Sequence, residues 1–247
     1  MTANTNKTSD FEKVAGYPVW SGGQTALLRS VKDDIEQSRK ITVIAINPEK
    51  VIRAADDPDL KDILLSADYL IPDGIGIVKA SKKQRGAIKK RITGIDLMDG
   101  LCALAAQNSY RIFLLGAAEE SVQGTKVFLE EKYPDLSICG VQNGYWQDDQ
   151  KLLSDINETN PDIILVALGS PKQEMWIREN MKRLSACVYQ GVGGSFDVFS
   201  GKVKRAPRWM QQIGLEWLYR LIFQPSRLRR QAKLLKFFRI AKESKNE

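Results

Sequence analysis

The sequence predicts an α/β protein, a parallel sheet covered on both faces by helices, with a basic helical appendage at its C-terminal end. Three observations predict it. Short apolar runs recur along the chain, and stretches with helical periodicity separate them. The runs are apolar at consecutive positions rather than at every second one, as expected of strands with helices on both sides and no solvent face.

Residues 1–10 are polar and rich in Thr, Asn and Ser, without the basic start and apolar middle of a secretory signal, and read as a disordered leader. Lys40-Ile41-Thr42-Val43-Ile44-Ala45-Ile46 is a β-branched run followed at once by Asn47-Pro48 and a helical stretch carrying Val51, Ile52 and Ala55. That is a strand feeding a helix. Further runs lie at Tyr69-Leu70-Ile71, Ile112-Phe113-Leu114-Leu115, Ile138-Cys139, residues 163–168 and Cys187-Val188-Tyr189. Helical patterns span residues 94–107, 119–132, 150–157 and 172–184. The plainest boundary is near Pro207, where composition turns basic and aromatic, which separates a body of residues 11–200 from an appendage of residues 201–247.

At 247 residues the chain can bury a substantial core. A mean hydropathy of −0.30, with no apolar run near the ~18 residues of a spanning helix, argues against an integral membrane protein. Cys102, Cys139 and Cys187 are odd in number and set among apolar neighbours, so buried free thiols in a reducing cytoplasm are expected. The formal charge of +7 is concentrated: residues 202–247 hold 13 basic and 3 acidic side chains, and the other 201 residues hold 24 basic and 27 acidic. An anionic partner is therefore expected at the C-terminal end, with nucleic acid, a membrane surface or a diphosphate as candidates.

In open parallel sheets ligands collect at the carboxyl ends of strands. Five such ends stand out: Asn47-Pro48-Glu49, Pro72-Asp73-Gly74-Ile75-Gly76, Gly116-Ala117-Ala118-Glu119, Gly169-Ser170-Pro171-Lys172-Gln173-Glu174, and Gly191-Val192-Gly193-Gly194-Ser195-Phe196-Asp197. Glycine where a strand gives way to a helix lets backbone N–H groups approach a phosphate. The dinucleotide fingerprint is absent, because Phe196 stands at the third glycine position, and there is no Walker pattern. Asp73, between a proline and a glycine just after a strand, has two readings: the N-cap of a helix over residues 74–80, or a catalytic carboxylate.

The chain contains no histidine. That removes Ser-His-Asp and Cys-His catalysis, imidazole acid–base chemistry and His-containing zinc sites, and leaves a carboxylate as the natural base. The literal Asp-x-Asp match, Asp57-Pro58-Asp59, falls between helical stretches rather than at a strand end. No metal and no cofactor are expected, with Lys, Arg and backbone donors stabilising a leaving diphosphate.

Pro225 divides the aromatic and basic segment of residues 209–242 into two helices. In the second, Leu228, Ala232, Leu235 and Phe238 recur at helical spacing while Arg229, Lys233 and Lys236 fall on another face. Three readings stand: a helix in a membrane interface, a helical pair packed on the body, or a single-stranded nucleic-acid surface, the last without a recognised motif.

Taken in order, Asn47-Pro48-Glu49-Lys50, Pro72-Asp73-Gly74-Ile75-Gly76, Arg91-Ile92-Thr93-Gly94-Ile95-Asp96-Leu97, the motifs beginning at Gly169 and Gly191, and Arg205-Ala206-Pro207 through Gly214-Leu215-Glu216-Trp217-Leu218-Tyr219-Arg220 resemble the WecG/TagA/CpsF family of bacterial glycosyltransferases, glycosyltransferase family 26. The resemblance covers about residues 14–240. It implies a Rossmann-like core and metal-independent, inverting transfer of a sugar from a UDP-sugar to an undecaprenyl diphosphate-linked saccharide. The pathway would be cell-surface polysaccharide synthesis, on the inner face of the bacterial plasma membrane.

By motif, Asp73 would be the general base. Asn47, Gly74, Arg91, Gly116, Lys172, Gln173 and Asp197 would bind the donor or shape its pocket. Arg220, Arg227 and Arg230 would grip the acceptor diphosphate. The resemblance leaves the donor open among N-acetylmannosaminuronic acid, N-acetylmannosamine and glucose types. Teichoic acid members carry threonine where Ala45 stands, and Tyr17-Pro18-Val19-Trp20 and Gln224-Pro225-Ser226-Arg227 look closer to the enterobacterial common antigen branch. The alternative function is a non-enzymatic nucleotide- or nucleic-acid-binding module with a basic tail. The oligomeric state is open, a homo-oligomer among the options.

Overall fold

The computed structural model describes residues 10–207, 209, 210, 216, 219 and 234–243. Residues 1–9 of the expected leader, and Arg220, Arg227 and Arg230, lie outside the described residues. Asp10 already belongs to the fold, since its carbonyl accepts a hydrogen bond from the Ser21 N–H at 2.7 Å.

Eight strands form one sheet: β1 (Phe11–Val14), β2 (Tyr17–Trp20), β3 (Ile41–Ile46), β4 (Tyr69–Pro72), β5 (Arg111–Gly116), β6 (Ser137–Gln142), β7 (Ile163–Ala167) and β8 (Val188–Gly191). Their order is β1-β2-β4-β3-β8-β7-β5-β6. β1 pairs antiparallel with β2, and every other ladder is parallel. The six strands expected from apolar runs are β3 to β8. The β1–β2 hairpin is an addition. Glu12 and Lys13 interrupt β1, and Pro18, which cannot donate to a ladder, weakens the strand signal of β2.

The connecting helices are α1 (Gly23–Glu36), α2 (Pro48–Ala54), α3 (Pro58–Ser66), α4 (Ile75–Lys83), α5 (Gly94–Asn108), α6 (Glu119–Lys132), α7 (Asp149–Glu158), α8 (Lys172–Asn180) and α9 (Ser195–Phe199), with α10 (Leu234–Glu243) near the C-terminal end. Successive strand side chains point to opposite faces, which sorts the core into two layers. Ile41, Val43, Tyr69, Ile71, Leu114 and Leu165 pack with Leu27 and Val31 of α1, Leu97 and Leu101 of α5 and Val122 of α6. On the other face, Ile44, Ile46 and Leu70 meet α2, α3, α4 and α10, while Phe113, Leu115 and Val166 meet α7 and α8. Every residue of β7 is buried, as a central strand covered on both sides requires.

In α10 it is Phe237 and Ala241 that face the body. Phe237 is fully buried and Ala241 nearly so against α2 and α4, Gln84 Nε2 donates to the Ala241 carbonyl, and Lys236 pairs with Asp56 at 3.1 Å. For these residues, packing on the body, one of the three readings of the tail, describes the structure.

The three cysteines are free, but only Cys102 is buried. Cys139 lies on β6, an edge strand with one open side, and Cys187 precedes β8, so both are half-buried rather than enclosed as expected.

Candidate active site

Because β3 to β8 run parallel, their carboxyl ends share one edge, and that edge gathers the five strand-end motifs. The chain steps outward from β3 to β4, crosses to β5, and returns through β7 to β8, which lies beside β3. Such a reversal, here at the β3–β8 boundary, is where open α/β sheets form a ligand-binding crevice.

Asp73 stands at this edge. Its N–H donates to the Ile46 carbonyl at 2.9 Å, which fastens the end of β4 to the end of β3, and the Ile92 N–H donates to the Pro72 carbonyl at 2.9 Å, which brings the following loop over the same edge. Gly74, at φ +100°, occupies the cap position of α4 and has no side chain with which to cap it. The capping reading of Asp73 is thereby corrected: the turn needs a left-handed residue directly before α4, and glycine alone adopts it without strain. Asp73 is half-buried. A Cβ on residue 74 would lie 3.9 Å from the Asn47 Cβ, so the β3 and β4 loops are in contact. Asn47 caps α2, its Oδ1 accepting from the Lys50 N–H at 2.9 Å.

Across the β3–β8 boundary, Gln173 is buried. Its Oε1 accepts from the Gly193 N–H at 3.0 Å and its Nε2 donates to Glu174 Oε1 at 3.0 Å. Glu174 in turn pairs with Lys50 Nζ at 2.7 Å, and both are buried. Gln173 thus ties the loop after β7 to the glycine-rich loop after β8, while the Lys50–Glu174 pair ties both to the start of α2. Lys172, beside it, is exposed.

A second polar cluster sits where α5 begins. Thr93 caps α5 and donates through Oγ1 to Asp96 Oδ2 at 2.6 Å. Arg205 pairs with Asp96 at 2.7 Å and lies 3.6 Å from Glu216, and Arg91 pairs with Glu216 at 2.9 Å. Burial works against the Asp96 charge, but hydrogen bonds from Arg205 and Thr93 prevail and hold its carboxyl below the ordinary aspartate range. Among the described residues, buried Arg205 Nη2 has no hydrogen-bond partner. Residue 216 of the tail is thereby fixed at the same edge as Asp73.

The sequence profile of the Glycosyl transferase WecG/TagA/CpsF family matches residues 12–246. The chain belongs to the WecG/TagA/CpsF family. One relative, from Bacillus subtilis (strain 168), is 39% identical over 217 residues, which cover 87% of this chain and 85% of the relative. It is an N-acetylglucosaminyldiphosphoundecaprenol N-acetyl-beta-D-mannosaminyltransferase. The chain is accordingly an enzyme, a glycosyltransferase.

In this WecG/TagA/CpsF enzyme the structure brings Asn47, Asp73, Gly74 and Gln173 to adjoining loops and places Arg91 beside them. Gly116 and Asp197 lie further along the edge. Asp197, half-buried, accepts the Ser121 hydroxyl at 2.7 Å and so joins α9 to α6. Gly116, at φ +109°, leaves no space for a side chain: a Cβ there would lie 2.7 Å from the Ala167 carbonyl carbon. Gly116→Ala is expected to destabilise the fold by about 1–3 kcal/mol, from left-handed strain and the backbone clash, which thermal unfolding would measure.

Sequence reading overlooked Lys50, Glu174, Asp96, Arg205 and Glu216 as individual residues, although each stands inside a motif that carried the resemblance. Their signal is charge within otherwise apolar or glycine-rich strand-end segments. The Asp-x-Asp carboxylates have other tasks: Asp57 caps α3 and Asp59 pairs with Arg178. Among the described residues no group of three or more acidic or cysteine side chains is arranged to hold a metal ion, and no helix is long and apolar enough to cross a membrane.

Proposed function

We propose that this glycosyltransferase moves an N-acetylmannosamine-type sugar from a UDP-sugar onto an undecaprenyl diphosphate-linked N-acetylglucosamine, in cell-surface polysaccharide synthesis at the inner membrane face. The observation that carries the reading is the position of Asp73 on the edge that also bears the Gly191–Gly194 loop. β4 and β8 flank β3, so these loops stand about 10 Å apart at ordinary strand spacing. That span suits a sugar lodged against the carboxylate with its diphosphate over glycine N–H groups.

Asp73 takes the proton from the acceptor hydroxyl as that oxygen attacks the anomeric carbon, and UDP departs from the opposite face, inverting the configuration. Charge growing on the diphosphate is met by backbone N–H groups, Lys172 and Nη2 of Arg205, without a metal. Arg220, Arg227 and Arg230 grip the acceptor diphosphate, since a guanidinium fork makes paired bonds to phosphate oxygens. Support for this comes from Glu216, four residues before Arg220, held at the same edge by Arg91. The name of the Bacillus subtilis relative favours an N-acetylmannosaminyl over a glucosyl donor.

The test is a donor screen with lipid diphosphate-linked N-acetylglucosamine as acceptor and mass spectrometry as the readout. UDP-N-acetylmannosamine, its uronic acid and UDP-glucose are offered in turn. A saccharide lengthened by one N-acetylmannosamine-type residue is expected. Hydrolysed donor with no lengthened product, or salt-dependent oligonucleotide binding without any turnover, would replace the reading.

A further inference from the structure

Helix α4 and the segment after it hold a second concentration of positive charge. Residues 79–91 include Lys79, Lys82, Lys83, Arg85, Lys89, Lys90 and Arg91 and no acidic residue. Only Arg91 is drawn into an ion pair, with Glu216. The other six are exposed, and none has a carboxylate within ion-pair distance among the described residues. Elsewhere surface cations have partners, as in Lys126–Glu130, Lys132–Asp99 and Lys151–Asp155.

The fold displays this segment rather than neutralising it. Glu12 of β1 reaches it, but its Oε2 accepts from the Ser81 hydroxyl and the Ala87 and Ile88 N–H groups, which are neutral donors that fix the loop's path. Lys82, Arg85 and Lys89 rim a cleft of about 390 Å³ floored by Val78 and Ile88. The surface continues onto α10: Lys83 Nζ lies 5.3 Å from the Phe238 ring centre, and Arg239 and Lys242 are exposed beside it.

We propose that α4 and residues 84–90 form an electrostatic docking surface for an anionic lipid bilayer. The inference rests on the reading that the acceptor is lipid-linked, and it gives that reading an orientation. Asp73 and Gly74 immediately precede α4, whose nine residues span about 14 Å, so docking through this flank brings the strand-end edge close to the membrane surface. The attachment is by charge, since Phe237 and Ala241 of α10 are already buried against the body. A bilayer fits better than single-stranded nucleic acid, because residues 79–91 offer no aromatic ring on which bases would stack.

The test uses the full chain, co-sedimented with vesicles of phosphatidylcholine alone or mixed with phosphatidylglycerol, at low and high salt. Binding to the anionic vesicles alone, reversed by salt, is expected. Substituting Lys82→Gln, Arg85→Gln, Lys89→Gln and Lys90→Gln together should weaken it at least about tenfold. A control removing four cations elsewhere, Lys32, Lys126, Lys151 and Lys182 each to Gln, should retain most of it. Equal loss in both variants, no loss in the first, equal binding to neutral vesicles, or preference for an oligonucleotide competitor overturns the proposal. Thermal unfolding shows whether each variant is folded. Turnover on a short-chain, water-soluble diphosphate acceptor, which needs no bilayer, should be unchanged in the first variant, and its absence in the unaltered enzyme would count against the proposed reaction rather than the docking surface.

Discussion

Replacing Asp73 with Asn is expected to lower kcat about 10²- to 10⁴-fold, the usual worth of a positioned general base, while donor affinity stays close to that of the unaltered enzyme. The substitution preserves shape, and the bond that fastens β4 to β3 uses the backbone N–H of residue 73, which it retains. An amide at this place cannot accept the acceptor's proton. Steady-state turnover on the lipid-linked acceptor, with calorimetry of donor binding, separates the two effects. Wild-type turnover with unaltered donor binding would remove Asp73 as the base.

Lys50→Met should produce the largest loss of stability. The variant leaves Glu174 charged and buried, with Oε2 already lacking a partner, and breaking one side of such a pair costs about 3–5 kcal/mol. For a chain of this size that lowers Tm by roughly 6–20 °C. Adding Glu174→Gln should recover much of the loss, because the penalty comes from the stranded charge and the amide still serves Gln173. Activity should fall more than stability alone explains: without Lys50 nothing fixes the Glu174 carboxylate that positions Gln173, and Gln173 holds the Gly193 N–H. A melting curve for Lys50→Met that overlays the wild type would refute the role given to the pair.

Strands β3, β4, β5, β7 and β8 were legible because each is enclosed by its neighbours and by helices and is written as an apolar run, while the edge strand β6 was legible only from Ile138-Cys139. The hairpin of β1 and β2 was not, since Glu12, Lys13 and Pro18 interrupt that signature and its strand character comes from pairing. Asp73 was legible as a candidate from its place between Pro72 and Gly74, but two roles competed there. The choice against capping needed the φ of Gly74 and its place at the cap position. The concentration of charge in the tail was read from the sequence, whereas the basic flank of α4 was hidden by acidic residues elsewhere in the body. Such residues cancel its charge in a sum but lie too far away to pair with it.

By itself, then, the chain of residues determined the fold class, the strand-end motifs and the exclusion of imidazole chemistry that follows from having no histidine. These are properties of composition and of spacings within a few residues. Tertiary structure alone decided the strand order, the junction of Lys50 with Glu174 and of Arg91 with Glu216, more than a hundred positions apart, and which residues of α10 face the body. Those outcomes depend on how crossovers return each strand to the sheet, and no local pattern encodes which distant charge will stand opposite once the core has closed.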